Sequence, residues 1–336
     1  MRDFQILTDS VADLPASWVK AHPYVTVVDT PINVTTVDNQ QLTLHNLTAD
    51  DFEQVEQYIK QGGRAMTSQP SVFDPDEENP SSVESLTKHY LREGKDVIYI
   101  TRAGTMSGTF NTVTLCYREL DDFATEQGRR LLCVDSHCMS TGLALLFIEI
   151  DKAIQRGEID SIEKVADYVG ANRGFMGHFF TWAKLDYIKL SGRVSSVQSM
   201  MANLFHLRLM CSAQYVNEYT RKLEHINPHA KQLIGIKSWA NALGIYAQRH
   251  IVDPCGEVIV AHGNVPRDAR MVVEKLREYL PDAKFLTGPE WRCGAGIQVH
   301  GGPTSIHVNF RTDIIGKLKE TTEEMEDIIR GLRIRV

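Results

Sequence analysis

The 336-residue chain lacks several signatures that would assign its chemistry at once. None of its six cysteines forms a C-x-x-C pair, so a zinc knuckle is not expected; Cys116 and Cys133 lie in apolar surroundings and read as core residues. The twelve histidines are scattered, and no metal site is expected. No apolar run approaches the roughly 20 residues that span a bilayer. The opening MRDFQILTDS has neither the basic nor the apolar region of a signal peptide, which points to a cytoplasmic protein. A positive charge excess is also missing. The net charge of −7 argues against nucleic acid as a partner, while leaving room for a local basic patch at a membrane surface. No serine sits in a G-x-S-x-G elbow, and Gly294-x-Gly296 is too short to be a phosphate loop, so neither a serine hydrolase nor a nucleotide-binding protein is indicated. No cofactor is expected.

What the chain has is 43% hydrophobic residues in short runs, several of them closed by a hydroxyl-rich turn. Residues 4–7, 24–28, 97–100 and 131–134 read as short buried strands. Helical stretches lie between them, one after Thr48 running to about Lys60, one after Ser81 ending near Gly94, and two at residues 108–121 and 140–156. Capping pairs are expected at Thr48/Asp51, Ser81/Glu84 and Asp160/Glu163. Alternation of this kind predicts a mostly parallel α/β sheet. After residue 160 the pattern changes. Residues 179–182, 209–219, 233–236, 257–262, 285–286, 296–300 and 305–310 are strand-like, with helices expected at 196–205, 238–250, 266–280 and 321–330. The expected fold class is therefore α/β in two domains: residues 1–160 as an N-terminal α/β domain, and residues 161–336 as an α+β domain with a mixed sheet.

The hydroxyl-rich turns are Thr8-Asp9-Ser10, Thr67-Ser68-Gln69-Pro70-Ser71, Thr105-Met106-Ser107-Gly108-Thr109 and Asp135-Ser136. Loops at the carboxyl ends of parallel strands are where an open α/β sheet binds its ligand. Turns rich in Ser and Thr suit a small oxyanion held by neutral donors. Ser107 is placed to cap a helix starting at Gly108, whose free N–H groups would attract a carboxylate. Asp9, Ser10, Asp135 and Ser136 read as loop-ordering groups that bond backbone amides, not as acid and nucleophile.

Six segments, in order, resemble the DegV family of bacterial fatty-acid-binding proteins: TDS-x-x-DLP at Thr8, TSQPS at Thr67, the SGT turn at Ser107, VDS-x-x-x-S-x-G at Val134, Leu190-Ser191-Gly192-Arg193-Val194-Ser195, and His300-Gly301-Gly302-Pro303. The resemblance implies a DegV-like fold with a fatty acid between the two domains. Its carboxylate would lie near Thr67, Ser68, Ser107, Gly108, Thr109, Arg193 and His300, and its acyl chain in an apolar tunnel. Candidate tunnel walls are residues 175–180, 200–205 and 207–210. The resemblance also implies a carrier that presents its ligand to a separate ATP-dependent fatty acid kinase subunit for acyl phosphate formation, and that is not itself an enzyme. An arginine at position 193 can fork a carboxylate or phosphate, which a lysine cannot do. Four positions depart from the family pattern. Arg102 lies in a loop one residue longer than usual, where it either adds charge to the head-group site or points to solvent. Ser191 replaces a glycine, Thr304 replaces a glycine, and the segment at Leu209 lacks a proline. Two other readings use the same residues: a hydrolase or phosphotransferase acting on a small polar substrate, and an interaction protein without ligand.

Overall fold

In the computed structural model the described residues are 3–73, 80–184, 187–188, 207–213, 215–216, 223–224, 227–313 and 318–333. Arg193, Ser191, the expected helix at 196–205 and the wall segment 200–205 lie outside them. By internal contacts the chain forms two units, residues 1–173 with 294–299, and residues 174–293 with 300–336.

In the first unit the strands are β1 (Phe4–Asp9), β2 (Val25–Val28), β3 (Ile32–Thr35), β4 (Gln41–Leu44), β5 (Arg64–Thr67), β6 (Asp96–Thr101) and β7 (Leu131–Asp135). The helices are α1 (Ala16–Ala21), α2 (Asp51–Lys60), α3 (Val83–Arg92), α4 (Thr109–Glu119), α5 (Asp121–Glu126), α6 (Ser140–Gln155) and α7 (Ile162–Asn172). The four apolar runs become a parallel sheet in the order β2-β1-β6-β7. β1 and β6 are central and buried throughout, as strands covered on both faces must be. Strand alternation turns Leu7, Val97 and Tyr99 to one face, where they pack with Val83 and Leu91 of α3, Val113 and Tyr117 of α4, and Ala124 of α5. α7 packs on β6 and β7, and α6, buried nearly all round, packs on α7.

β3, β4 and β5 form a separate antiparallel sheet, ordered β4-β3-β5, that the sequence reading does not contain. The expected caps shift by a residue or so. α3 starts after Ser82, whose hydroxyl and that of Ser85 form a reciprocal capping box in place of Ser81/Glu84. Ser161, not Asp160, accepts from Lys164 N–H at the start of α7. At α2, Asp51 accepts from the N–H of Leu47 and of Thr48, while Thr48 contributes no side-chain cap.

The second unit contains β8 (Met176–Trp182), β9 (Leu207–Ala213), a short ribbon of β10 (Tyr215–Val216) with β11 (Leu223–Glu224), β12 (Asn227–Ile234), α8 (Gly235–His250), β13 (Glu257–His262), α9 (Pro266–Tyr279), β14 (Lys284–Leu286), β15 (Ser305–Arg311) and α11 (Leu318–Arg333); the helix α10 (Ala295–Gly301) belongs to the first unit up to Val299 and to the second from His300. Its sheet is ordered β12-β9-β8-β15-β13-β14, with β13/β14 the parallel pair among antiparallel ones, so it is mixed as expected. Two strand expectations fail. Ile236 belongs to α8, and residues 296–300 lie in the helix α10. One face of the sheet, carrying Phe179, Val258, Val260, Val308 and Phe310, is covered by α8, α9 and α11 through Trp239, Leu243, Tyr246, Leu276, Met325 and Ile329.

α8 and α9 touch closely at Gly244, where a Cβ would come within 2.2 Å of Tyr279 Cδ2. Tyr279 cannot swing away freely, because its hydroxyl donates to Asn241. On an open helix Gly→Ala would stabilise by about 1 kcal/mol. Here the overpacking dominates, and Gly244→Ala is expected to destabilise the protein by about 1–3 kcal/mol in a urea melt.

Candidate functional site

The parallel sheet has its topological switch point between β1 and β6. The chain leaves β1 for β2 on one side, then returns to β6 on the other and continues to β7. The crevice at the carboxyl ends of the two strands on either side of such a point is the usual ligand position in an open α/β sheet. Asp9 ends β1, and Arg102 follows β6. Both are buried, with Arg102 Nε 3.7 Å from Asp9 Oδ2. Asp9 Oδ1 accepts from Val11 N–H and orders its own loop, as expected of a strand-end aspartate. Burial pushes the Asp9 carboxyl up, against the opposing pull of Arg102 and Val11.

Arg102 thus points inward, not to solvent, and it gathers the sequence-predicted residues. Its Nε donates to Ser107 Oγ at 2.8 Å and its Nη2 to Ser68 O at 3.1 Å. Ser107 Oγ is 2.9 Å from Thr109 Oγ1, and Thr109 Oγ1 donates to Gln69 Oε1 at 2.8 Å. Thr109 has one hydroxyl proton and gives it to Gln69, so the Ser107 proton points to Thr109. The result is a directed chain, Arg102 to Ser107 to Thr109 to Gln69, in which each bond polarises the next. Arg102 Nη1 has no partner among the described residues.

Gly108, not Ser107, is the N-cap of α4; Ser107 stands one position earlier and accepts from Thr109 N–H at 3.3 Å. The first backbone bond at this end is Thr112 N–H to Gly108 O, so the N–H groups of Phe110 and Asn111 have no intrahelical acceptor. A Cβ at Gly108 would lie 3.3 Å from Gln69 Nε2, which is the close approach that a side chain there would crowd.

Thr67 closes strand β5 opposite Ile32, and Ser68 N–H continues the pairing by donating to Pro31 O. The Thr67 methyl faces Gly296, where a Cβ would be 2.8 Å from Thr67 Cγ2 and 2.5 Å from Asn46 Nδ2. Asn46 fixes this approach. Its Oδ1 accepts from Gly296 N–H and its Nδ2 donates to Ser10 Oγ, which also accepts from Thr30 N–H. Asp13 holds the same segment, accepting from Gly294 N–H and from the Ser140 hydroxyl. Burial pushes the Asp13 carboxyl up to about 7.

The structure therefore brings Ser68, Ser107, Gly108 and Thr109 together, with Thr67 beside Ser68. Arg193 lies outside the described residues. His300 is in the last turn of α10, in the second unit, and half-buried. Gln69, Asn46 and Asp13 join the assembly without having been singled out by sequence. Gln69 and Asp13 lay inside recognised motifs, whereas Asn46 carried no local signal. Asp135 takes Gly104 N–H with both oxygens and His137 N–H with one, and Ser136 accepts from Cys138 N–H, so both order their loop. Among the described residues no group of three His, Cys, Asp or Glu side chains could hold a metal ion.

A half-buried, arginine-anchored hydroxyl cluster at the switch point of a parallel sheet marks the chain as an α/β protein with a candidate ligand site. Residues 3–313 match the sequence profile described as uncharacterised protein, DegV family, and the chain belongs to that family. It is 27% identical over 316 residues to a DegV domain-containing protein of Clostridium perfringens, covering 93% of this chain and 99% of that one. Its fold is that of a DegV family protein of Thermus thermophilus described for fatty acid binding (TM-score 0.69, 21% identity, 93% of this chain and 100% of that one). The fatty acid kinase B3 protein of Streptococcus pneumoniae, solved loaded with linoleic acid, is equally similar (TM-score 0.69, 19% identity, 93% and 100%).

Two outcomes are expected at this site. Arg102→Ala leaves Asp9 buried without its counter-charge and should cost about 3 kcal/mol in a denaturant melt, with Asp9→Asn in the same chain restoring part of the loss. Asp13 binds its proton more tightly in the folded chain than in the unfolded one. Its contribution to stability is complete below the ordinary value of 3.8 and is lost as pH rises through about 7. Asp13→Asn keeps the acceptor for Gly294, so its melting temperature should fall less than that of the parent between pH 5 and pH 7, read by differential scanning calorimetry.

Proposed function

We propose that this chain binds a long-chain fatty acid and holds its carboxylate at the cluster of Thr67, Ser68, Ser107, Gly108 and Thr109. The observation that carries the reading is Arg102. It is buried beside Asp9, commits two donors to Ser107 and Ser68, and keeps Nη1 without a partner among the described residues. A carboxylate placed there meets the Thr67 hydroxyl, the first-turn amides of α4 and one guanidinium, and Ser107 donates to it by turning its proton away from Thr109. These donors bind a singly charged anion without adding net positive charge, because Asp9 offsets Arg102. Solved proteins of this fold are described as fatty-acid-binding, which supports an acyl chain as the rest of the ligand. Burial of each methylene contributes about 0.8 kcal/mol, so the chain would dominate affinity while the cluster sets orientation. Arg193 and His300 join the proposal through their motif matches, Arg193 to steady charge and His300 to orient the carboxylate.

The role extends to presenting the acid to a separate ATP-dependent kinase subunit for acyl phosphate formation, with transient contact to a membrane surface. The protein of this fold described as part of a fatty acid kinase supports that extension. On this reading the chain is a cytoplasmic carrier, not an enzyme. Among the described residues no helix is long and apolar enough to cross a membrane.

Native mass spectrometry of the purified protein, followed by organic extraction, should show one fatty acid per chain. An empty protein that also refuses added fatty acids would contradict the reading and favour a small polar substrate. Thr67→Ala and Ser107→Ala, each removing one hydrogen bond to a charged group, should weaken fatty acid binding by about tenfold or more in a competition assay.

A further inference from the structure

The loop that carries Arg102 leaves β6 beside the loop that leaves β7, and the two are stitched together. Thr101 and Asp135 stand opposite one another at the ends of the two strands. Ser136 N–H donates to Thr101 O at 3.1 Å and Ala103 N–H to Cys138 O at 2.7 Å, so the backbone is held on each side of Arg102. One residue on, Gly104 N–H points between the two oxygens of Asp135, at 3.1 and 3.0 Å. Asp135 Oδ1 also accepts from His137 N–H at 2.9 Å, and its carbonyl oxygen accepts from Arg173 Nη1 at 2.7 Å. His137 sits at φ 55°, a left-handed conformation that a non-glycine residue keeps only where its surroundings impose it. The fit at Gly104 is close. A Cβ there would lie 2.7 Å from Asp135 Oδ2 and 3.4 Å from Cβ of Phe110, in the first turn of α4.

The two bonds flanking Arg102 join backbone to backbone and do not depend on which side chains are present. The bond at Gly104 depends on the Asp135 side chain. Bonds from backbone N–H groups to a carboxylate are shorter and stronger than those to a neutral acceptor, so an aspartate fixes Gly104 more firmly than an amide or hydroxyl would. The place of Gly104 matters because the Arg102 side chain is long and rotatable, and where its guanidinium falls follows from where its backbone is held. That guanidinium has to meet Asp9, Ser107 Oγ and Ser68 O at once. A drift of about 1 Å is enough to spoil such an arrangement. Asp135 thus fixes, from the neighbouring strand, the loop from which Arg102 reaches the hydroxyl cluster.

We propose that Asp135 is a positioning residue for the carboxylate site, acting through Gly104 on Arg102; the inference rests on the fatty-acid reading above. The test is competition binding to the delipidated full-length chain, with palmitic acid against hexadecanol, which has the same chain without a charged head group. The ratio of the two affinities reads the head-group contacts, whereas a general loss of packing weakens both ligands together. Asp135→Ala should lower the ratio by about tenfold, and Asp135→Asn, which keeps one acceptor oxygen for Gly104, by less. In a chain whose buried pair is made neutral, Asp9→Asn with Arg102→Gln, Asp135→Ala should change the ratio by less than about twofold, because its route to the ligand is gone. Gly104→Ala, whose Cβ pushes the carboxylate off the amide, should lower the ratio even if Asp135→Ala does not fold. A ratio unchanged by Asp135→Ala and Gly104→Ala, or an equal fall in the neutral chain, would overturn the inference and leave the fatty-acid reading standing. A parent chain that binds neither ligand would contradict the fatty-acid reading instead. Exchange of the Arg102 Nε–H, followed by NMR without ligand, tests the positioning in that case: it should quicken in Asp135→Ala, and an unchanged rate would overturn the inference.

Discussion

The buried pair of Asp9 and Arg102 is the constraint on which the first unit's site depends. One residue ends β1 and the other follows β6, so the pair spans the switch point of the parallel sheet. Neither charge is tolerable there alone, since an uncompensated buried ion costs several kcal/mol. Once they are paired, the guanidinium still has donors to place, and it places them on Ser107 and on the backbone of Ser68. Two turns far apart in sequence are fixed against each other, and the hydroxyls of Ser107 and Thr109 have their protons set in one direction. The site is preorganised by the same contacts that hold the loops.

A second set of contacts orders the segment that returns to the first unit. Asp13 and Asn46 each accept one backbone N–H from Gly294 and Gly296, and Ser10 supports Asn46. Gly296 has no side chain to hold Thr67 and Asn46 away. Burying the Asp13 carboxyl opposes ionisation, yet two donors face it, so it acts as a local staple whose strength varies with pH.

Much of this was legible in the residues. The four parallel strands were readable because strands buried on both faces appear as short, uninterrupted apolar runs. The hydroxyl turns were readable because they close those runs. β3 to β5 were not, since each has four residues and a mixed burial pattern, with polar groups such as Asn33, Thr43 and Arg64 exposed. The α10 segment reads as a strand because Ile297 and Val299 alternate with Gln298 and His300; in a seven-residue helix that is mostly buried, alternation carries no information about conformation. Ser107 reads as a cap because it is the serine nearest the helix start, whereas the backbone turns one residue later, at Gly108. The burial of Arg102 had no sequence signal at all, because it depends on the adjacency of β1 and β6, which sequence order does not state.

The most direct test of the account is a crystal structure of the protein purified with its native lipid. The account predicts a carboxylate within hydrogen-bonding distance of Thr67 or Ser107 and of a first-turn amide of α4, with Arg102 still beside Asp9. A carboxylate bound elsewhere, with the Arg102–Ser107–Thr109–Gln69 chain untouched by ligand, would contradict it.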